Sequence, residues 1–268
     1  MLERFREVAC LQSAVSTLII YKKKSSDLIE TVKENSEISR WEIIDEGFHS
    51  LNGNRIKHLK TISSTRKVEY SVHAPFSSVN IAETNPDLRN KFIKILKQSL
   101  ERAFKLEAKM CVIHPGRLSP FTYYFPEEAR RAHLISLKAL CKDAENLGIY
   151  LTLENMAGPY DLFRNVEDGI ELLKDIENIG FCLDIGHANL TRSLDQFVKK
   201  LPQIRHIHIH DNTGKEDTHL PIGQGNVRWK NVIKQLNRIE YEGWLVAENY
   251  ELSNALKTLE YLRINDNY

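Results

Sequence analysis

The sequence predicts a (β/α)8 barrel, and three observations carry that reading. Eight runs of strand length alternate with helical patterns along 268 residues. Several runs are continuously apolar, as expected of strands covered by helices. The rival, an open doubly wound sheet, lacks its fingerprint. Gly223-Gln224-Gly225 has no third glycine and follows no strand directly, so it reads as a turn.

The strand candidates, in order, are residues 8–15, 41–45, 68–73, 110–114, 149–154, 180–184, 204–210 and 244–249. Between them the clearest helix is 86–108, where Leu88, Phe92, Ile95, Leu96, Leu100, Ala103 and Phe104 recur at three- and four-residue spacing. Asn85 is its N-cap and Pro86 occupies the first helical position, where a missing N–H costs nothing. A second helix over 127–147 opens at Pro126-Glu127-Glu128 and closes at Gly148. A third, over 166–178, is capped by Asn165, with Glu167 and Asp168 at its positive end. Weaker patterns predict helices near 26–35, 54–62, 194–201, 229–239 and 253–264. No linker or repeat marks a second domain, so residues 1–268 are expected to form one.

Composition bounds the function. Lys plus Arg number 37 against 36 Asp plus Glu, a net charge of +1, which gives no broad basic field for nucleic acid. No apolar run is long enough to span a membrane, and the start has no h-region. Cys10, Cys111, Cys141 and Cys182 form no CxxC pair and read as reduced thiols of a cytoplasmic protein.

The chemistry stands at the strand ends. His73, His114, Glu154, Asp184 and Glu248 close the third, fourth, fifth, sixth and eighth strands; His208 lies in the seventh, and His187 follows Asp184. Asp217 and His219 occupy the loop after strand seven. A barrel brings successive strand ends to one mouth. Burying carboxylates and imidazoles together there is costly without a cation, and the N and O donors suit a divalent one. Each residue alone has a bland explanation, such as helix capping by Asp184; the joint pattern is harder to explain that way. In a strand His206, His208 and His210 point to one side. One faces the mouth, a deeper one belongs to the core or supports a ligand, and Asp211 is placed to orient an imidazole.

The segments SVHAPFSSVNIA (71–82), VIHPG (112–116), LTLENMAG (151–158), FCLDIGHANL (181–190), HIHIHDNTGKEDTHLPIGQGN (206–226) and VAEN (246–249) together resemble the xylose isomerase-like TIM-barrel superfamily. That group holds sugar and sugar-phosphate isomerases and epimerases, and abasic-site nucleases of the endonuclease IV type. In the nuclease branch the resemblance implies three zinc sites. They are His73, His114 and Glu154; Glu154, Asp184, His208 and Glu248; and His187, Asp217 and His219. In the isomerase branch Glu154, Asp184, His208 and Glu248 hold a single metal, often Mn or Mg, and the two glutamates move protons. One to three Zn, Mn or Mg ions per chain are therefore expected.

Two chemistries follow, with a third reading beside them. The first is isomerisation or epimerisation of a small sugar or sugar phosphate through a metal-stabilised enediolate, with Glu154 and Glu248 catalytic and Arg117 binding an anionic group. The second is phosphodiester hydrolysis at abasic DNA, with Phe76 and Asn80 matching a segment that nuclease relatives use near DNA, and Lys22-Lys23-Lys24 as a basic patch. No His-containing first strand with a glycine-rich turn appears before residue 41, and the wording CLDIGHANL is nearer the isomerases, which favours the first. The third is a non-catalytic metal-binding barrel. Oligomeric state is not expressed in these patterns.

Overall fold

The computed structural model describes residues 11–24, 27–200 and 204–265. Eight parallel strands close a barrel in sequence order. They are β1 (Gln12–Ser16), β2 (Arg40–Ile44), β3 (Glu69–His73), β4 (Met110–Ile113), β5 (Tyr150–Glu154), β6 (Ile179–Asp184), β7 (Ile204–Ile209) and β8 (Trp244–Ala247). β8 pairs back onto β1, with Gln12 opposite Trp244 and Val15 opposite Ala247. The helices are α1 (Asp27–Glu34), α2 (Gly53–Thr65), α3 (Pro86–Leu106), α4 (Pro126–Leu147), α5 (Val166–Leu173), α6 (Ile185–Leu190), α7 (Leu194–Lys200), α8 (Trp229–Arg238) and α9 (Leu252–Asn265). The predicted barrel is the observed one.

The caps behave as their residue types dictate. The Asn85 side chain accepts from the N–H groups of Asp87 and Leu88, with Pro86 opening α3. Asn165 and Asp168 form a reciprocal capping box on α5. That helix ends at Leu173 rather than at 178, and the chain turns through Asn178, at φ 61°, into β6. Short 3-10 turns at Thr17–Ile20 and Gly47–His49, and the one-and-a-half-turn α6, carry too little periodicity to be read from sequence. Of the first predicted strand, residues 8–10 and Cys10 lie outside the described residues. Cys111, Cys141 and Cys182 are buried free thiols.

Two layers of packing result. Outside the barrel, apolar faces such as Phe163, Phe181 and Phe197 meet under the helices, the first two rings 5.2 Å apart. Inside, strand alternation turns a polar series inward. Register sets Glu42 beside Ser71, Cys182 beside His206, and Asp184 beside His208. The interior therefore grows polar toward the C-terminal ends of the strands, the end at which barrels of this class place their chemistry. Among the described residues no helix is long and apolar enough to cross a membrane.

Candidate metal centre

All nine sequence-predicted ligands converge at that mouth. Glu154 is the hub. Its Oε2 lies 3.1 Å from His73 Nε2 and 3.2 Å from His114 Nε2. Its Oε1 lies 3.3 Å from His208 Nδ1 and 3.4 Å from His187 Nδ1. His208 Nδ1 also faces Glu248 Oε2 at 3.4 Å and Asp184 Oδ2 at 3.9 Å. One ligand atom from each of Glu154, Asp184, His208 and Glu248 falls within 4.8 Å of the others, and all four residues are buried. Beside them Asp217 Oδ2 sits 3.2 Å from both His187 Nε2 and His219 Nε2.

Local structure aims each imidazole. Three rings present Nδ1 to a backbone carbonyl: His73 to Ala74 O at 2.9 Å, His187 to Asn155 O at 2.9 Å, and His219 to Glu248 O at 2.6 Å. A carbonyl only accepts, so each Nδ1 carries the proton and each Nε2 is left facing its carboxylate. Histidine ligands of metals are oriented in this way. Asp184 caps α6 by accepting from His187 N–H at 2.6 Å, while Asn155 accepts from Asp184 N–H at 2.8 Å. Gly186 is required here, because a Cβ would stand 2.0 Å from the His210 ring. His210 then reaches Asp184 at 3.2 Å and stacks on His219 at 3.9 Å.

The electrostatics fit a cation. Burial raises Glu154, but the imidazoles of His208 and His114 outweigh it and hold the carboxyl well below the usual range. Asp184 is lowered in the same way by His187 and His210 against burial. Glu248 moves oppositely: burial, aided by the Glu154 charge, raises it against the pull of His208. His114, with its side chain 22% exposed, is lowered by burial despite Glu154. Both His208 nitrogens are buried without a hydrogen-bond partner among the described residues, and Nδ1 is the one that three carboxylates surround. An N and O donor set, with an unpartnered imidazole nitrogen at its centre, is what a divalent cation satisfies.

The remaining predicted residues occupy other places. Phe76 stacks on His114 at 4.9 Å and on Tyr21 at 5.9 Å, forming one wall of the mouth. Asn80 accepts from Arg117 N–H at 2.9 Å and donates to Arg117 O at 3.1 Å, so its amide fastens two loops. The Arg117 side chain is exposed, and its backbone bridges to Asp161. Asp211 does not orient an imidazole as expected. Its oxygens accept from Trp229 Nε1 at 3.0 Å and from the N–H groups of Gly223 and Val227 at 2.9 and 3.2 Å, tying down the loop after β7. Its position after His210 carried it past the mouth toward backbone donors.

Glu42 beneath the mouth escaped sequence reasoning, and Lys22 of the expected basic patch stands at the mouth itself. Lys22 Nζ lies 3.8 Å over the Tyr250 ring, which packs on His219. Glu42 on β2 is fully buried and contacts His206 and His208. The signal for Glu42 was present: an acid inside the apolar run WEII, and a deeper histidine in need of a partner. A hollow of about 820 Å³ opens at the opposite end of the barrel, lined by Glu69, Lys109, Arg205 and Trp244 among others. It carries none of these ligands.

The comparisons agree with the barrel fold. Residues 29–264 match the family model described as a xylose isomerase-like TIM barrel. A solved D-tagatose 3-epimerase-like protein is 34% identical, with a TM-score of 0.90 over 95% of this chain and 97% of its own. An uncharacterized protein of Methanocaldococcus jannaschii is 34% identical over 264 residues, covering 94% of this chain and 88% of that relative. A probable endonuclease 4 of Mesomycoplasma hyopneumoniae is 29% identical over 171 residues, covering 58% of this chain and 59% of its own length.

Proposed function

The chain belongs to the xylose isomerase-like TIM-barrel family, and on that premise we propose that it is a divalent-metal-dependent isomerase or epimerase of a small sugar or sugar phosphate. The observation that carries the reading is the pair Glu154 and Glu248, which approach the same His208 nitrogen at 3.3 and 3.4 Å from different strands. Their environments separate them. The imidazoles of His208 and His114 hold the Glu154 carboxyl below its usual range, whereas burial raises that of Glu248. Such a pair suits removal of a proton at one face of a sugar carbon and its return at another.

Glu154, Asp184, His208 and Glu248 would hold the cation, which supplies charge stabilisation for an enediolate. His73 meets Phe76 and His114 edge-on at 5.1 and 5.0 Å, so ring surface walls one side of the site and limits water. Arg117 lies on the rim, where an anionic group of the substrate would reach it. On the same reading the chain acts as one domain in a cytoplasm that keeps its thiols reduced.

A second reading is supported by a specific feature. His187 and His219 converge on Asp217 beside the first group, which suits a zinc cluster hydrolysing phosphodiesters, as in an endonuclease acting on abasic DNA. One experiment divides the two. Bound metals per chain are counted by elemental analysis; then solvent-hydrogen exchange at ketose carbons and nicking of abasic duplex are measured on the same preparation. Exchange with at most one required metal supports the first reading. Three zincs with nicking, and no exchange, overturn it.

A further inference from the structure

The mouth histidines divide by how they are oriented. His73, His187 and His219 are each fixed by a backbone carbonyl on Nδ1. His208 is turned the other way. Its Nδ1 faces Glu154, Asp184 and Glu248, and its Nε2 points down the barrel to Glu42 Oε1 at 3.0 Å. We propose that Glu42 is the positioning residue of the metal centre: its carboxylate holds the proton of His208 on Nε2 and so keeps the Nδ1 lone pair open toward the cation. The inference rests on the reading that His208 is a metal ligand.

The surroundings of Glu42 explain why a carboxylate is needed there. Its Oε2 accepts from Ser71 Oγ at 3.0 Å and from His206 Nε2 at 2.6 Å. Its Oε1 lies 3.0 Å from His208 Nε2, and neither of these two buried atoms has another hydrogen-bond partner among the described residues. Two donors thus bond one oxygen, and the other oxygen is left as the acceptor within reach of His208 Nε2. An amide offers one oxygen only. In Glu42→Gln the amide oxygen would stay with Ser71 and His206, the two-donor side, and the amide N–H would face His208. His208 Nε2 would then have to accept, which moves its proton onto Nδ1, where the cation belongs. The tautomer switch is a consequence of donor counting and needs no movement of backbone.

Burial makes the arrangement strict. Glu42, His206 and His208 are all at 0% exposure, so no water stands ready to supply a missing acceptor. Glu42 enters from β2, a strand that gives no ligand of its own. It therefore acts through His208 and touches neither cation nor substrate.

The test uses zinc as the probe and the full chain. In the zinc-loaded wild type, nitrogen NMR of labelled histidine should show His208 protonated on Nε2 and coordinated through Nδ1. Coordination through Nε2 overturns the proposal without any variant. Zinc affinity, measured by competition with a chromogenic chelator, should fall about 10- to 100-fold in Glu42→Gln. It should recover substantially in Glu42→Asp, which restores two acceptor oxygens. Asp45→Asn changes another buried carboxylate next to the same strand and should leave zinc affinity within about threefold of wild type. Equal affinity in wild type and Glu42→Gln refutes the positioning role and leaves the metal centre standing. An equal loss in Asp45→Asn also refutes it, by making the effect one of general loosening. A wild type that takes up no zinc removes the metal centre itself, and the inference with it.

Discussion

Buried charge occurs in two regions of this barrel, and the two are built differently. Asp184 at the mouth and Asp45 under α3 are both buried acids at strand ends. Asp45 is saturated by donors of the shell: Leu51 N–H at 2.6 Å, Ser99 Oγ at 2.7 Å and Arg102 Nη1 at 3.2 Å. Asp184 meets one backbone N–H and then a field of imidazoles and other acids. The histidines repeat the contrast. His133 on α4 is buried in the helical shell at 1% exposure, and no charged group is among the causes of its shift. His208 is buried among carboxylates. Burial at a strand end therefore does not identify a ligand; neighbours that are themselves donors to a cation do.

The sharpest way to break the comparison is Glu154→Gln. Glu154 touches His73, His114, His187 and His208, so its loss leaves four imidazoles without their common partner. Bound metal should drop and turnover should fall by about 10³-fold or more, measured by elemental analysis and by exchange at the sugar carbon. Unchanged metal content would mean that the mouth is only a second saturated shell.

Asp217→Ala sharpens the picture within the mouth. It removes the oxygen shared by His187 and His219 and leaves the four residues around His208 in place. Zinc per chain should fall by about one. Any phosphodiester cleavage should drop roughly 100-fold, whereas sugar exchange should stay within about threefold. Equal losses in both assays would merge the two groups into one working cluster.

The strand ends were legible because period and position are written locally: an apolar run of fixed length, then a His, Asp or Glu. Which way a polar residue turns was not. Asp45 closes the WEIID run as an obvious mouth candidate would, yet it leans outward to Ser99 and Arg102. Glu42 lies within that run and turns inward. Alternation along the run puts the two on opposite faces, but which face is the inner one is set by pairing with β1 and β3. Asp211 was misjudged for the same reason, since its partners Gly223, Val227 and Trp229 stand across a loop.

The shell makes predictions of its own. Burial lowers His133 from the ordinary 6.5 to about 4. Between those values the unfolded chain binds a proton that the folded chain refuses, so stability rises with pH through this window. The full contribution is present above about pH 6.5 and is lost as pH falls toward 4, up to roughly 3 kcal/mol. Urea unfolding of His133→Leu at pH 7 and pH 4.5 should show a smaller difference between the two than wild type does. An unaltered difference would move the acid sensitivity to the mouth.

The smallest expected effect belongs to Asp45→Asn. The amide oxygen can still accept from Leu51 N–H, so one bond survives. Ser99 has to reverse its hydroxyl or lose its acceptor, and Arg102 loses its counter-charge at a partly exposed edge. A cost of about 1–2 kcal/mol follows, read as a shift of the urea midpoint with the slope unchanged. Metal content and exchange rate should not move. A variant with wild-type stability but depleted metal would reverse the assignment of the two acids, because Asp45 would then be serving the mouth from across the strand.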